Sequence, residues 1–389
     1  MARVRKTLIR IGTRIHGFGV ALALLAALAS CGPAWQATVL RPDGGLFTVD
    51  KSVLQGLRES VQGEKQEPAP LERVLVAAGH RAVERLAVVA PDGLRREFDW
   101  AVVANSAEWL DDGQLSMGGT PLSVARLEVQ APPLLEQVQA SITDLAPTAA
   151  AALGLAAPAR ATGQVLATGR AGHVLLLYLD GLGYVRYQEA LKQGLVPTLA
   201  ALPGLLVGLT AYPPSTNVAT AALLTGAPPE VNGVNRQGVR KTGMQSLFDV
   251  AAAAGRRVVA VEGDSLAFNL PNAQIQLSGD RDGNGSTDDN VLANALAVLQ
   301  AGMPDLLFVH LHGIDDAGHT YGPGSAEEAA AVAGVDGAVG EILAQVPPGT
   351  LVLIFADHGM HPVEEEGRAG NHGHLIERDM FIPIWVVVK

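Results

Sequence analysis

Short apolar runs alternate with stretches of helical spacing from Val174 to the C-terminus. The apolar runs at 174–179, 205–210, 258–261, 306–311, 351–355 and 382–388 have the length of strands buried on both faces and are too short for ordinary helices. Between them, residues 246–254, 291–301 and 326–345 repeat their apolar positions with a helical period. This alternation predicts an α/β fold, a central, mostly parallel sheet flanked by helices, over residues 131–389. Residues 32–130 read as a smaller α+β domain. Pro42-Asp43-Gly44 and Pro91-Asp92-Gly93 are turn triplets, each between two predicted strands, 37–40 with 46–49 and 86–89 with 95–100. Residues 71–78 have helical spacing, and 123–129 alternate like a closing strand. The intervening residues 131–172 are rich in Ala and Pro, the composition of a linker. Yet Ser141 opens a helix-start signal that runs to a Leu153-Gly154 stop.

Charge and the N-terminus narrow the class. The first thirty residues carry five bases and no acid, and removing those from a formal net charge of −11 leaves a body of −16. Such a body lacks the basic surface that unaided nucleic-acid binding requires. The basic stretch leads into an apolar run, 20–29, which is about half the roughly 20 residues that span a bilayer. It ends in Leu28-Ala29-Ser30-Cys31, the one cysteine of the chain, so no intramolecular disulfide forms. Basic, apolar, then small residues is the secretory layout. The tetrapeptide resembles the bacterial lipobox, implying a signal peptide over residues 1–31 and lipidation of Cys31. An uncleaved anchor helix and a plain signal peptide are the alternatives. The expected location is extracytoplasmic and lipid-anchored to a bacterial membrane, the outer one where present, because Gly32 rather than Asp follows the cysteine.

The candidate chemistry lies at strand ends, where open α/β sheets collect their ligands. Strand 174–179 ends in Asp180-Gly181, strand 306–311 leads to Asp315 and His319, and strand 351–355 ends at Asp357-His358. His372 precedes the last strand. Carboxylates with imidazoles are a zinc ligand set, with manganese or iron as alternatives. Six such residues exceed one tetrahedral site, so two ions are expected, an arrangement suited to displacement at phosphorus. Thr216 follows a predicted strand and opens a helix, whose free N–H groups favour phosphate. Its plain alternative is a helix N-cap, a role Ser215 fills equally well. For the whole set, the plain alternative is polar strand-end loops without metal.

In order, Asp180-Gly181, Thr216, Asp315-x-x-Gly318-His319-x-x-Gly322-Pro323, Asp357-His358-Gly359-Met360 and Gly370-x-His372-Gly373 resemble the alkaline phosphatase superfamily, most closely its type I phosphodiesterase/nucleotide pyrophosphatase branch, over residues 173–389. The resemblance implies that Asp180, Asp357 and His358 hold a metal activating Thr216, and that Asp315, His319 and His372 hold a second facing the leaving group or the incoming water. Thr216 would form a covalent phosphothreonine. Monoesterases of this superfamily place a magnesium-binding Glu where His310 stands, so the pattern leans toward a two-metal diesterase. The Asn with which diesterases hold a phosphate oxygen falls near Gln237, so Gln237 or Arg236 is the substitute contact. Sulfatases require residues after the nucleophile that this chain lacks.

The 141–158 segment is similar to one that such enzymes carry after their last metal histidine, which implies a circular permutation placing it beside the final strand. Residues 32–130 faintly resemble the molybdopterin-binding domain of sulfite oxidases, without its cysteine. Asp280, Asp282, Asn284 and Asp288 have calcium-loop spacing without the closing Glu; a solvated acidic loop is the competing reading. His361 and His374 flank the metal motifs. The expected activity is hydrolysis of a small phosphate ester or nucleotide. A phosphomonoesterase with the same site and an anchored binding protein with a decayed site are the alternatives. Leaving group and oligomeric state stay open at this level.

Overall fold

A computed structural model describes residues 35–59, 69–281, 283–365 and 367–389. Cys31 and the segment before it lie outside the described residues, as does Asp282. No helix among the described residues is long and apolar enough to cross a membrane.

The N-terminal domain begins with β1 (Ala37–Leu40), β2 (Leu46–Val49), helix α1 (Lys51–Glu59), β3 (Ala69–Pro70) and helix α2 (Leu71–Ala77). It continues with β4 (Arg85–Val89), β5 (Arg95–Asp99), β6 (Ala107–Trp109), β7 (Gln114–Met117), β8 (Thr120–Ser123) and β9 (Arg126–Gln130). These form a five-stranded sheet, β2-β1-β9-β4-β5, and a four-stranded sheet, β3-β6-β7-β8. The turn triplets and both hairpins fall where the sequence puts them. Helix α1 and the β6–β8 meander carry weaker patterns and were not anticipated. The core of this domain runs into the next: Val39, Leu71, Leu75, Leu86 and Trp109 share one apolar cluster with Val207, Leu209, Leu375, Ile376, Met380 and Phe381.

The larger sheet begins with β10 (Ala140–Ser141), followed by helix α3 (Leu145–Leu153), β11 (His173–Leu179), helix α4 (Tyr184–Gln193), β12 (Leu205–Leu209) and helix α5 (Thr216–Thr225). Helix α6 (Leu247–Ala253), β13 (Val258–Glu262), β14 (Gln274–Leu277), helix α7 (Asp288–Gln300), β15 (Leu306–Leu311), helix α8 (Gly313–Tyr321) and helix α9 (Ala326–Gln345) come next. The chain closes with β16 (Thr350–Phe355), the hairpin β17 (His361–Glu365) and β18 (Arg368–Asn371), and β19 (Phe381–Val388). The sheet order is β10-β12-β19-β16-β11-β15-β13-β14. Every residue of β11 from Val174 to Leu179 is fully buried, the burial expected of a central strand covered on both faces. Truncating one of its leucines to Ala costs about 2–5 kcal/mol.

Two features of this topology build the site. Parallel register sets Leu179 opposite Leu311 and Tyr178 opposite Phe355, so the next residues, Asp180, His312 and Asp357, leave three adjacent strands at the same level. Strand β19 runs antiparallel to both neighbours, so its start, not its end, lies at this edge. That reversal delivers His372 to the carboxyl ends of the parallel strands. The linker reading of 131–172 fails for its first half. Ser141 and Asp144 form a reciprocal capping box, Gly154 ends α3 at φ 76°, and Ala146, Ala149 and Ala150 are buried in the main core with Ile382, Ile384 and Trp385. β10 lies one strand from β19, with β12 between them.

Candidate metal and nucleophile site

Close approach by neighbouring chain explains several glycines in and beside the motifs. Gly181 has φ 78°, and a Cβ there would lie 3.0 Å from Asp315 Cα. Its N–H donates to Asp357 Oδ1 at 3.1 Å, tying the β11 and β16 ends together. A Cβ on Gly183 would lie 2.5 Å from Gly359 Cα, and one on Gly359 would collide with the Arg378 carbonyl oxygen. One on Gly318 would meet Met360 Sδ at 2.6 Å.

Six predicted ligands are drawn together by this packing. Asp357 and His358 are fully buried, and Asp180 is 2% exposed. His358 Nε2 lies 3.0 Å from Asp357 Oδ2 and 3.6 Å from Asp180 Oδ1. One helical turn on α8 sets His319 Nε2 3.3 Å from Asp315 Oδ2, and His372 Nε2 is 3.8 Å from Asp315 Oδ1. Each of the three imidazoles has its Nδ1 against a backbone carbonyl: His319 on Gly370 at 2.8 Å, His358 on Gly359 at 3.1 Å, His372 on Pro214 at 2.8 Å. A carbonyl only accepts, so Nδ1 carries the proton and every Nε2 turns a bare lone pair inward.

The electrostatics fit a cation. Asp180 Oδ1, Asp315 Oδ1 and Asp357 Oδ2 are buried and accept no hydrogen bond among the described residues. Burial, then the charge of Asp180, pushes the carboxyls of Asp315 and Asp357 well above the usual range. Burial pulls His358 down to about 4 and His372 well below its ordinary value, and lowers His319 as well, so all three rings are neutral. Asp180, Asp357 and His358 form one group whose ligand atoms lie within 4.8 Å of one another, and Asp315, His358 and His372 form another. The second differs from the set implied by resemblance: His358 lies between the groups, while His319 approaches from the far oxygen of Asp315.

Thr216 faces this cluster, its Oγ1 3.4 Å from His358 Nε2. Ser215 takes the N-cap position of α5, but no side chain among the described residues caps the helix, and the Ser215 hydroxyl turns to Asn217 Oδ1 at 3.3 Å. The capping alternative for Thr216 is therefore not what the hydroxyl does. Asn217 was not singled out from sequence; its amide donates to the carbonyls of Arg236 and Val239 at 2.9 and 2.8 Å, holding the 236–239 loop beside the start of α5. Arg236 is half-buried and Gln237 exposed on that loop.

A second missed group adjoins the first. His310 bridges Asp180 Oδ2 (3.1 Å) and Glu262 Oε2 (3.0 Å), and His312 spans the same two oxygens at 3.5 and 3.3 Å. Burial opposes charge throughout, yet the hydrogen bonds and mutual attraction hold Asp180 well below and Glu262 below the usual carboxylate range, and raise both imidazoles. Asp180, His310 and His312 are themselves a group whose possible ligand atoms lie within 4.8 Å of one another. His-x-His across the end of β15 and the Glu ending β13 were the sequence signals for it. His361 binds Asp379 through Nδ1 at 2.9 Å, and His374 Nδ1 lies 3.2 Å from Glu72 Oε2, so neither joins the metal groups.

Among the described calcium-loop residues, the side chains of Asp280, Asn284 and Asp288 each accept backbone N–H groups. Asp280 accepts the backbone N–H groups of Gly283 and Gly285, and Asn284 that of Ser286. Asp288 turns away to the backbone N–H groups of His312 and Gly313 at 2.8 and 2.9 Å, at the start of α8.

Fold and site together define the class: an α/β protein with neutral imidazoles and uncompensated carboxylates gathered at the carboxyl edge of its sheet. Residues 271–382 match the family described as type I phosphodiesterase/nucleotide pyrophosphatase, the family its ordered motifs resemble. The match contains Asp315, His319, Asp357, His358 and His372, while Asp180 and Thr216 lie outside it. The chain is 34% identical over 85 residues to GPI ethanolamine phosphate transferase 3 of Eremothecium gossypii, covering 22% of this chain and 8% of that protein. It is 28% identical over 125 residues to the catalytic subunit of the human GPI ethanolamine phosphate transferase 3, covering 30% and 11%. The matched stretches thus span about a tenth of the length of these relatives. The phosphonoacetate hydrolase of Sinorhizobium meliloti 1021 aligns with a TM-score of 0.40 at 20% identity, over 50% of this chain and 58% of that one.

Proposed function

We propose that this chain is a metal-dependent hydrolase of phosphate esters, of the phosphodiesterase type, that acts through a covalent phosphothreonine at Thr216. One observation carries the reading: orphaned oxygens of Asp180, Asp315 and Asp357 gather with His358 and His372 in two groups that share His358, and the Thr216 hydroxyl lies 3.4 Å from that shared Nε2. Asp180, Asp357 and His358 would hold one ion, and Asp315 and His372 with His319 a second; zinc suits the donors, with manganese or iron as alternatives. Bound there, the ions supply charge neutralisation, a lowered hydroxyl pKa and stabilisation of charge at phosphorus.

The chain's own groups do the rest. The uncapped N-terminus of α5 presents free N–H groups to a phosphate oxygen beside Thr216. Thr216 Oγ1 bonds to phosphorus as the ester P–O bond breaks and the alcohol leaves with a proton. Water then attacks the same phosphorus, the P–Oγ1 bond breaks, and a proton of that water restores the Thr216 hydroxyl. Asn217 keeps the 236–239 loop at this helix start, where Arg236 or Gln237 would contact the substrate. Residues 141–158 would be the catalytic domain's permuted terminal segment, and a lipid on Cys31 would hold the protein outside the cytoplasm.

The test is turnover of bis(p-nitrophenyl) phosphate against p-nitrophenyl phosphate, with and without chelator, by protein lacking residues 1–31. Preference for the diester and loss with chelator are expected; preference for the monoester would favour the phosphomonoesterase alternative. Zinc bound without turnover of either would favour the binding-protein alternative. Thr216→Ala should abolish phosphoenzyme and lower turnover by on the order of a thousandfold or more while leaving zinc bound. A second reading follows from the named relatives, which are ethanolamine phosphate transferases: an alcohol rather than water takes the phosphoryl group. From bis(p-nitrophenyl) phosphate, alkyl p-nitrophenyl phosphate formed at the expense of p-nitrophenyl phosphate when alcohol is added would support it.

A further inference from the structure

The N-terminal domain reaches the site through one buried carboxylate. Glu72, in the first turn of α2, is 4% exposed although it belongs to the other domain. Its Oε1 accepts the backbone N–H of Leu375 at 2.6 Å. Its Oε2 accepts the hydroxyl of Tyr212 at 3.0 Å and lies 3.2 Å from His374 Nδ1. Tyr212 stands on the segment between β12 and Thr216, and His374 and Leu375 follow His372. The same two segments are joined a second time, closer to the chemistry, where His372 Nδ1 donates to the Pro214 carbonyl at 2.8 Å. That bond selects the tautomer that turns His372 Nε2 inward.

We infer that Glu72 is a positioning residue for the site: it clamps the nucleophile segment to the His372 segment from behind, and so makes the N-terminal domain part of the catalytic apparatus rather than a spacer. The inference rests on the phosphoryl-transfer reading for its consequence and on geometry for its substance. A buried carboxylate accepting this many hydrogen bonds from another domain is expensive to leave unpaired and is retained only where its partners stay put. Burial and the Glu72 charge raise the Tyr212 hydroxyl well above its usual pKa, so that hydroxyl keeps its proton and remains the donor. The neighbouring pair supports the same segment from its other side: Asp379 accepts from His361 Nδ1 at 2.9 Å and from the His374 N–H at 3.0 Å. Val83 N–H adds a backbone tie from the N-terminal domain to the Leu375 carbonyl at 2.9 Å.

The experiment compares wild-type, Glu72→Ala, Glu72→Gln and Tyr212→Phe proteins lacking residues 1–31 by hydrogen exchange, zinc titration and steady-state kinetics. In Glu72→Ala, exchange should rise about tenfold or more in peptides spanning 210–216 and 371–376, with β11 and β15 unchanged. The second zinc equivalent should weaken, and kcat on the diester should fall about tenfold to a hundredfold with KM little altered. Glu72→Gln, which keeps the Leu375 bond, should recover most of both. Wild-type exchange in both peptides together with two tightly bound zinc ions in Glu72→Ala would overturn the proposal. Where Glu72→Ala fails to fold, Tyr212→Phe decides it: it removes the bond to Glu72 and should raise exchange across 210–216 and lower kcat, and wild-type exchange, zinc and kcat there would overturn the proposal equally. If the unmodified protein turns over no phosphate ester, the hydrolase reading falls while exchange still decides Glu72. If turnover is normal in every variant, Glu72 falls and the reading stands.

Discussion

Three histidines turned the same way are the most informative residues in this chain. The ligand types were legible at strand ends, but which nitrogen faces inward was not, because the carbonyls that decide it come from Gly370, Gly359 and Pro214 on other segments. Protonation at this scale makes a prediction. His358 has its folded pKa near 4 against an ordinary 6.5, so the metal-free protein loses stability as pH falls from about 6.5 toward 4, where only the unfolded chain takes up that proton. Asp315 and Asp357 act oppositely, since their raised pKa values make the metal-free fold lose stability as pH rises from the ordinary carboxylate range through the raised values. Zinc displaces those carboxyl protons, so its stabilisation should grow with pH. At a hundredfold excess over Kd near pH 7.5 it should add roughly 3 kcal/mol, and at pH 5 far less. An equal rise in Tm at both values would contradict the site as described.

At the scale of elements, position in the sheet decides what a motif can do. Asp-Gly and Asp-His-Gly become one structure because parallel register brings β11 and β16 out level and their glycines let the turns touch. Gly359→Ala should therefore cost about 1–3 kcal/mol, measured by denaturant unfolding, and lower zinc content as well, since its Cβ would force the Arg378 backbone away. Gly56→Ala is the control: nothing lies within 4 Å of its Cβ inside α1, and the change should be neutral or stabilise by about 0.4–1 kcal/mol. Strand positions 174–179 and 306–311 were readable from apolar runs because both faces are buried. The reversal of β19 was not, since an apolar run reads the same in either direction. Without that reversal His372 would stand at the wrong end of the sheet.

Considered whole, the molecule pairs an N-terminal part of two sheets with a larger part built on the eight-stranded sheet, with no clean division between their cores. Val207, Leu209, Leu375 and Phe381 are covered by the N-terminal domain. A chain of residues 131–389 alone should consequently expose this surface and be recovered mainly as aggregate, whereas 32–389 should be soluble. Monomeric, cooperatively melting 131–389 protein would show that the second domain is dispensable to the fold. Substitution of Cys31 bears on location: Cys31→Ala should move the full-length chain from the membrane to the soluble fraction if that sulfur carries the lipid.

Residue order alone determined the α/β character and the family resemblance and named the six candidate ligands and Thr216, because apolar runs, turn triplets and motif spacing are local properties written in consecutive positions. Tertiary structure alone decided that His358 lies between both ligand groups, that Glu262, His310 and His312 brace Asp180, and that Glu72 reaches across from another domain. Those contacts join residues far apart in the chain through strand register and domain packing, and nothing in a local pattern records which distant side chain will close a hydrogen bond.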